Sequence, residues 1–249
     1  MGKPRAHFLH IGKTGGTAIN TALGPLTGSG RYEIVLDGHD VDLRQVPRGE
    51  RVFFVLRDPL DRFVSSFNDR QHCSRPRYDV PWTDDETRAY GRFDTADALG
   101  RALSCDDHAL RAAAEDAMRS IYHVRHSYWD WFGDPVYFQS RLNDLLYVMW
   151  LPSLHSSFAR LCELLDLRER PGLPSDELGA HRNPSSSSRF LSPQAIRNVK
   201  RWYEPDYEFV EICSQLEPVA PELRSVAPRR RGPLASALLR VSGYFKNPS

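Results

Sequence analysis

From residue 8 the chain reads Phe8-Leu9-His10-Ile11-Gly12-Lys13-Thr14-Gly15-Gly16-Thr17: an apolar run, a glycine-rich turn with a lysine inside it, and the start of a segment with helical spacing. A turn of this kind between strand and helix exposes backbone N–H groups beside the positive end of the helix dipole, which suits it to a phosphate. Lys13 adds a mobile cation, and the hydroxyls of Thr14 and Thr17 are further donors. A Walker loop, GxxxxGK[ST], would place its glycines before the lysine and would need glycine at position 7, where this chain has His7. The turn is therefore a phosphate loop of another pattern, or a capping turn whose glycines serve the backbone only.

On either side of the turn, apolar spacing predicts a strand over His7–Ile11 and a short helix over Thr17–Leu23. Tyr32–Leu36 and Val52–Leu56 read as further strands, the latter apolar and β-branched enough to lie buried in a parallel sheet. Pro59 suits the first turn of a helix whose face carries Leu60, Phe63, Val64 and Phe67. Gln71–Arg92 is polar and proline-interrupted and reads as a long loop or lid. Helices are expected at Thr95–Leu103, Asp106–Tyr122, Pro193–Tyr203 and Pro205–Leu216. A strand at Leu146–Leu151 leads into a helix bearing Phe158, Leu161, Leu164 and Leu165. Strands alternating with helices imply an α/β fold, P-loop-like and three-layered, with a central parallel sheet flanked by helices.

The chain has 249 residues, 33 Lys+Arg against 32 Asp+Glu, and a formal charge of +1, with 41% hydrophobic residues. This composition fits one globular domain, taken as residues 1–217, and a Pro- and Arg-rich tail over 218–249 in which Leu234–Phe245 has the pattern of a short amphipathic helix. No window approaches the roughly 18 apolar residues of a bilayer crossing, and the N-terminus lacks the apolar run of a secretory signal, so a cytoplasmic location is expected. Cys73, Cys105, Cys162 and Cys213 match no CxxC spacing and read as reduced and mostly structural. Near-neutrality argues against nucleic acid as a partner, since the one basic cluster, Arg229-Arg230-Arg231, cannot supply a phosphate-tracking face. Any anion site must be local.

A second such site is present in Leu56-Arg57-Asp58-Pro59-Leu60-Asp61-Arg62-Phe63-Val64-Ser65-Ser66-Phe67, which places an arginine at a strand end and a serine two helical turns on. The pair of segments resembles the two signature loops of 3′-phosphoadenosine 5′-phosphosulfate (PAPS)-dependent sulfotransferases: the 5′-phosphosulfate loop HIxKTGGT at His10–Thr17, and the 3′-phosphate segment LRDPxxRxxSxF at Leu56–Phe67. The likeness is greatest to the carbohydrate group that includes heparan sulfate 2-O- and 6-O-sulfotransferases. It is strong over Ala6–Asn68 and weaker through Phe138–Arg141, Leu146–Leu167 and Tyr203-Glu204-Pro205-Asp206-Tyr207-Glu208. Gly12 departs from the proline or glutamine more usual before the lysine, and Gln71–Asp134 matches nothing in the family.

The resemblance implies a nucleotide sulfate donor, PAPS, a product, PAP, no metal ion, and a hydroxyl-bearing acceptor among sugars, glycolipids or small metabolites. It assigns Lys13, Thr14, Gly15, Gly16 and Thr17 to the 5′-phosphosulfate and Arg57 and Ser65 to the 3′-phosphate. Lys13 would stabilise the leaving phosphate. His39, in the loop Asp37-Gly38-His39-Asp40 after the second strand, is the expected general base, since strand-end loops face the ligand crevice and a neutral imidazole accepts a proton near pH 7. Asp37 or Asp40 would orient its ring. Asn183, Ser185 and Arg189 are candidates to close over the nucleotide, while His123 and His126 lack a third ligand for a metal. Relatives acting on polysaccharides sit in the Golgi lumen behind a membrane anchor. This sequence shows none, so a cytosolic acceptor and a bacterial biosynthetic enzyme are expected. A Mg²⁺-dependent kinase and a non-catalytic PAP-binding module are the competing functions.

Overall fold

The structure is a computed structural model that describes residues 2–174 and 188–216. Along the chain it forms β1 (Arg5–Phe8), α1 (Gly16–Leu23), β2 (Glu33–Leu36), β3 (Arg51–Leu56), α2 (Pro59–Gln71), α3 (Asp84–Tyr90), α4 (Ala96–Ala102) and α5 (His108–Ser120). There follow α6 (Trp129–Phe132), α7 (Pro135–Ser140), β4 (Leu145–Trp150), α8 (Leu154–Leu164), α9 (Pro193–Trp202) and α10 (Glu204–Ser214). The described residues fall into two compact units, one from residues 2–57, 128–174 and 205–216, the other from 58–127 and 188–204.

The first unit holds a four-stranded parallel sheet in the order β2-β1-β3-β4. Parallel strands are covered on both faces and so read as apolar runs. Five of the six residues of β3 and all six of β4 are buried. Phe54, Phe132, Phe138 and Phe209 pack as one aromatic cluster, with Phe132 and Phe209 stacked at 4.5 Å between ring centroids. Cys162 and Cys213 lie in this core, where burial pushes both thiols up. Because β1 and β3 are neighbours, the turn that follows β1 and the residue that ends β3 emerge at the same edge of the sheet.

The strand expected over His7–Ile11 is shifted toward the N-terminus. Leu9 N–H still reaches the Phe53 carbonyl at 3.1 Å, but Ile11 N–H folds back on the Leu9 carbonyl and the glycine turn begins there.

In the second unit, Asp58 caps α2 by accepting from the N–H groups of Leu60 and Asp61, with Pro59 at the first helical position. Phe63, Val64 and Phe67 form its buried face. α4 and α9 approach so closely that a Cβ at Gly100 would lie 2.9 Å from the Ala195 methyl. The segment Gln71–Arg92, expected as loop, contains α3. A capping box starts it, with Thr83 and Glu86 reciprocally satisfying each other's backbone N–H, and Asp84, Asp85 and Glu86 complement the helix dipole. Glu86 also meets Arg70 through two buried hydrogen bonds of 2.8 and 2.6 Å.

No helix among the described residues is long and apolar enough to cross a membrane. The tail over 218–249, its Leu234–Phe245 segment, the Arg229–Arg231 cluster and His181, Asn183 and Ser185 lie outside the described residues.

Candidate active site

The turn between β1 and α1 is shaped by left-handed backbone. Lys13 has φ 64° and Gly15 φ 92°. The lysine carries the strain of that region, and glycine adopts it without cost. At Gly15 a Cβ would also press on Leu151 and Leu154, and at Gly16 it would run into the ring of His10, so both glycines are required by close approach as well. α1 then begins with no side chain capping it and no acidic residue in its first turn. Its leading N–H groups are thus presented beside a lysine, an arrangement that favours an anion. Thr14 is fully buried and its hydroxyl donates to the Ile11 carbonyl at 3.0 Å, so that side chain secures the turn. Lys13 and Thr17 are half-buried.

Arg57 directly follows β3 and leans across to the turn after β1: its Nη1 donates to the Lys13 carbonyl at 3.2 Å. The two segments singled out in the sequence therefore converge. Tyr128 holds the arginine from behind, its hydroxyl accepting from Arg57 N–H at 3.1 Å and donating to the Arg57 carbonyl at 2.6 Å. Tyr128 is itself fully buried, and its N–H donates to the Asp206 carboxylate at 3.0 Å. Asp206 thus supports the C-terminal end of β3 through one intermediary.

His39 lies on the segment linking β2 to β3. Its Nδ1 stands 2.9 Å from the His10 carbonyl, which can only accept, so Nδ1 carries a proton there. The rings of His10 and His39 lie 3.9 Å apart between centroids, and the Trp131 indole donates to the His39 carbonyl at 2.9 Å. The expectation that Asp37 orients the His39 ring is corrected here: the Asp37 carboxylate pairs with His7 at 3.1 Å, and a main-chain carbonyl faces the His39 Nδ1. His10 supports the site. It is buried, packed on the helix start at Gly16, with Asn20 3.3 Å from its Nδ1.

The remaining candidates are more dispersed. Ser65 is half-buried on α2, in the second unit. Arg62 is buried there and donates to the carbonyls of His126 and His123 at 2.8 and 3.5 Å, which makes it structural. Arg189 is exposed. No group of three or more His, Cys, Asp or Glu suited to a metal occurs among the described residues. Tyr128 and Trp131 were not singled out in the sequence, where each looks like an ordinary core aromatic; a polar tip on a buried ring is the one signal that hints at such a role.

A parallel sheet whose two central strands end in a cationic glycine turn and an arginine defines an α/β protein equipped to hold anionic groups at its strand ends. The sequence profile of the sulfotransferase family matches residues 2–210, and the chain belongs to that family. No curated protein and no solved structure matches it at a significant level.

Proposed function

We propose that the chain moves the sulfuryl group of PAPS to a hydroxyl of a carbohydrate, glycolipid or small-metabolite acceptor. Family membership supports sulfuryl transfer in general. The observation that carries the specific proposal is the hydrogen bond from Arg57 to the Lys13 carbonyl, which joins the two anion-facing segments at one sheet edge. The residues suit the nucleotide: α1 opens with uncapped donors, no carboxylate stands in its first turn, and two cationic side chains flank it. Bound there, PAPS supplies an activated sulfuryl group and a bisphosphate leaving group.

The geometry supports a role for each of the chain's own residues. Lys13, with the N–H groups of Thr14, Gly15, Gly16 and Thr17, holds the 5′-phosphosulfate and stabilises negative charge on the departing oxygen. Arg57, locked by Tyr128, takes the 3′-phosphate, the group to which the sequence motif also assigns Ser65. His39, whose neutral ring with Nδ1 donating to the His10 carbonyl would carry its lone pair on Nε2, accepts the acceptor's proton there. A sulfuryl group bears less negative charge than a phosphoryl dianion, so side-chain and backbone donors suffice in place of Mg²⁺. The catalytic domain is taken as residues 1–217. Calorimetry with PAP and with ATP tests the whole: tight, Mg²⁺-independent PAP binding is expected, and ATP-selective, Mg²⁺-dependent binding would overturn it in favour of a kinase.

A further inference from the structure

We propose that His7 is a positioning residue for His39: as an imidazolium it ties Asp37 to Glu50 and thereby fixes both ends of the segment that carries the base. This rests on the assignment of His39 made above. His7 lies on β1, paired with Val35 of β2 on one side and Val52 of β3 on the other. Asp37 comes two residues after Val35 and Glu50 two residues before Val52. With the side-chain period of two, both carboxylates share the sheet face of His7. The segment 37–50 leaves β2 and returns to start β3, passing over β1, and His7 is the residue beneath it.

Both ring nitrogens are engaged. Nδ1 lies 3.1 Å from Asp37 and Nε2 2.6 Å from Glu50. A carboxylate only accepts, so making both bonds requires a proton on each nitrogen. Burial works against that charge, but the hydrogen bonds and attraction of Asp37 and then Glu50 outweigh it and raise the pKa above the ordinary histidine value. The other charged groups near the cluster are Arg5, 3.9 Å from Glu50, and Glu33, which engages Arg5 at 3.3 Å. Arg51, on the opposite face of β3, donates to the carbonyls of Asn143 and Leu145. Within the segment, Asp42 pairs with Arg44, and Arg48 reaches Ser140.

Other anchors hold the middle of the segment. Leu43 N–H donates to the Trp131 carbonyl at 2.8 Å, and the buried Arg141 guanidinium donates to the carbonyls of Leu43, Val46 and Pro47 at 2.8, 3.0 and 3.2 Å. At the ends, Asp37 N–H donates to the Phe8 carbonyl and Gly49 N–H to the Asp144 carboxylate, each at 3.2 Å; His7 adds the side-chain tie between the two ends, and Asp37 is two residues from His39. Since the folded pKa is raised, the clamp is fully made below the ordinary histidine pKa and is released as pH rises through the raised value.

Nitrogen-15 spectra of histidine-labelled protein test the charge directly. His7 is expected to show two protonated ring nitrogens at pH 7 and to keep them above the pH at which an exposed histidine has lost its proton. The functional readout is slow hydrolysis of PAPS to PAP and sulfate, with water standing in for the acceptor. His7→Gln, which can reach one carboxylate but not both, is expected to lower kcat about 10- to 100-fold, the range seen when a partner that orients a functional histidine is lost. It should leave PAP affinity within about twofold and abolish the alkaline limb that wild type shows as His7 titrates. Asp37→Asn should do the same. A neutral His7 at pH 7, or a folded His7→Gln protein with wild-type rate and pH profile, would overturn the clamp. Failure of wild type to bind PAP would instead strike the sulfotransferase proposal, and the spectra would still decide the state of His7.

Discussion

At the scale of single residues, the proposed site divides chemistry between a base and two cations. Replacing His39 by Ala should slow PAPS consumption by about 10²- to 10⁴-fold, the contribution of a positioned base, while calorimetry shows PAP binding unchanged. An unaltered rate would remove His39 from the reaction. Arg57 has the opposite signature. Arg57→Ala deletes a charge-assisted hydrogen bond worth about 1.5–3 kcal/mol, so PAP should bind about 10- to 100-fold more weakly, with the loss shrinking for a nucleotide that lacks the 3′-phosphate. Lys13, Arg57 and His39 were all legible in the sequence because each sits in a short motif at the end of an apolar run. The tautomer of His39 was not, since it depends on the carbonyl of His10, 29 residues earlier.

Elements decide how these residues are presented. The turn from β1 into α1 works because Gly16 leaves room for the His10 ring, which in turn packs at a tilt against His39. Gly16→Ala forces the ring to move and should cost about 1–3 kcal/mol as an overpacked contact. Thermal unfolding would register the loss, and the His39 resonance should shift with it; an unchanged midpoint and resonance would show that the turn absorbs a methyl group. The periodicity of α2 and the buried apolar strands were readable from local pattern, since spacing and φ preference act within a few residues. α3 was missed for a physical reason. Its seven residues are polar, and its start is set by the Thr83–Glu86 capping box and the contact of Glu86 with Arg70.

For the molecule as a whole, stability depends on ion pairs removed from water. The Arg70–Glu86 pair is almost fully buried, and Glu86 also accepts from the N–H groups of Thr83 and Tyr122. Burial alone would raise the Glu86 pKa, but the hydrogen bonds from Arg70 and those N–H groups hold it below the usual carboxylate value. Its contribution is therefore present above the ordinary glutamate pKa and lost as pH falls through the depressed one. Glu86→Gln leaves the Arg70 charge buried with a neutral partner. Breaking such a pair costs about 3–5 kcal/mol, and hydrogen exchange at the α2 and α3 amides should quicken accordingly at pH 7. The difference from wild type should narrow toward acid, and an equal difference at every pH would rule out the ion pair as its source.

By itself the amino-acid sequence determined the parallel α/β plan and the two family motif segments at His10–Thr17 and Leu56–Phe67. Both are encoded in short windows, where apolar spacing, glycine backbone freedom and the position of a cation relative to a helix start are local properties. Only the tertiary structure decided how those groups are held. The order of strands brings Arg57 to Lys13, Tyr128 to Arg57 across 71 residues, and Glu50 to His7 across 43. Hydrogen bonds of that reach exist only once the sheet has put distant strands side by side.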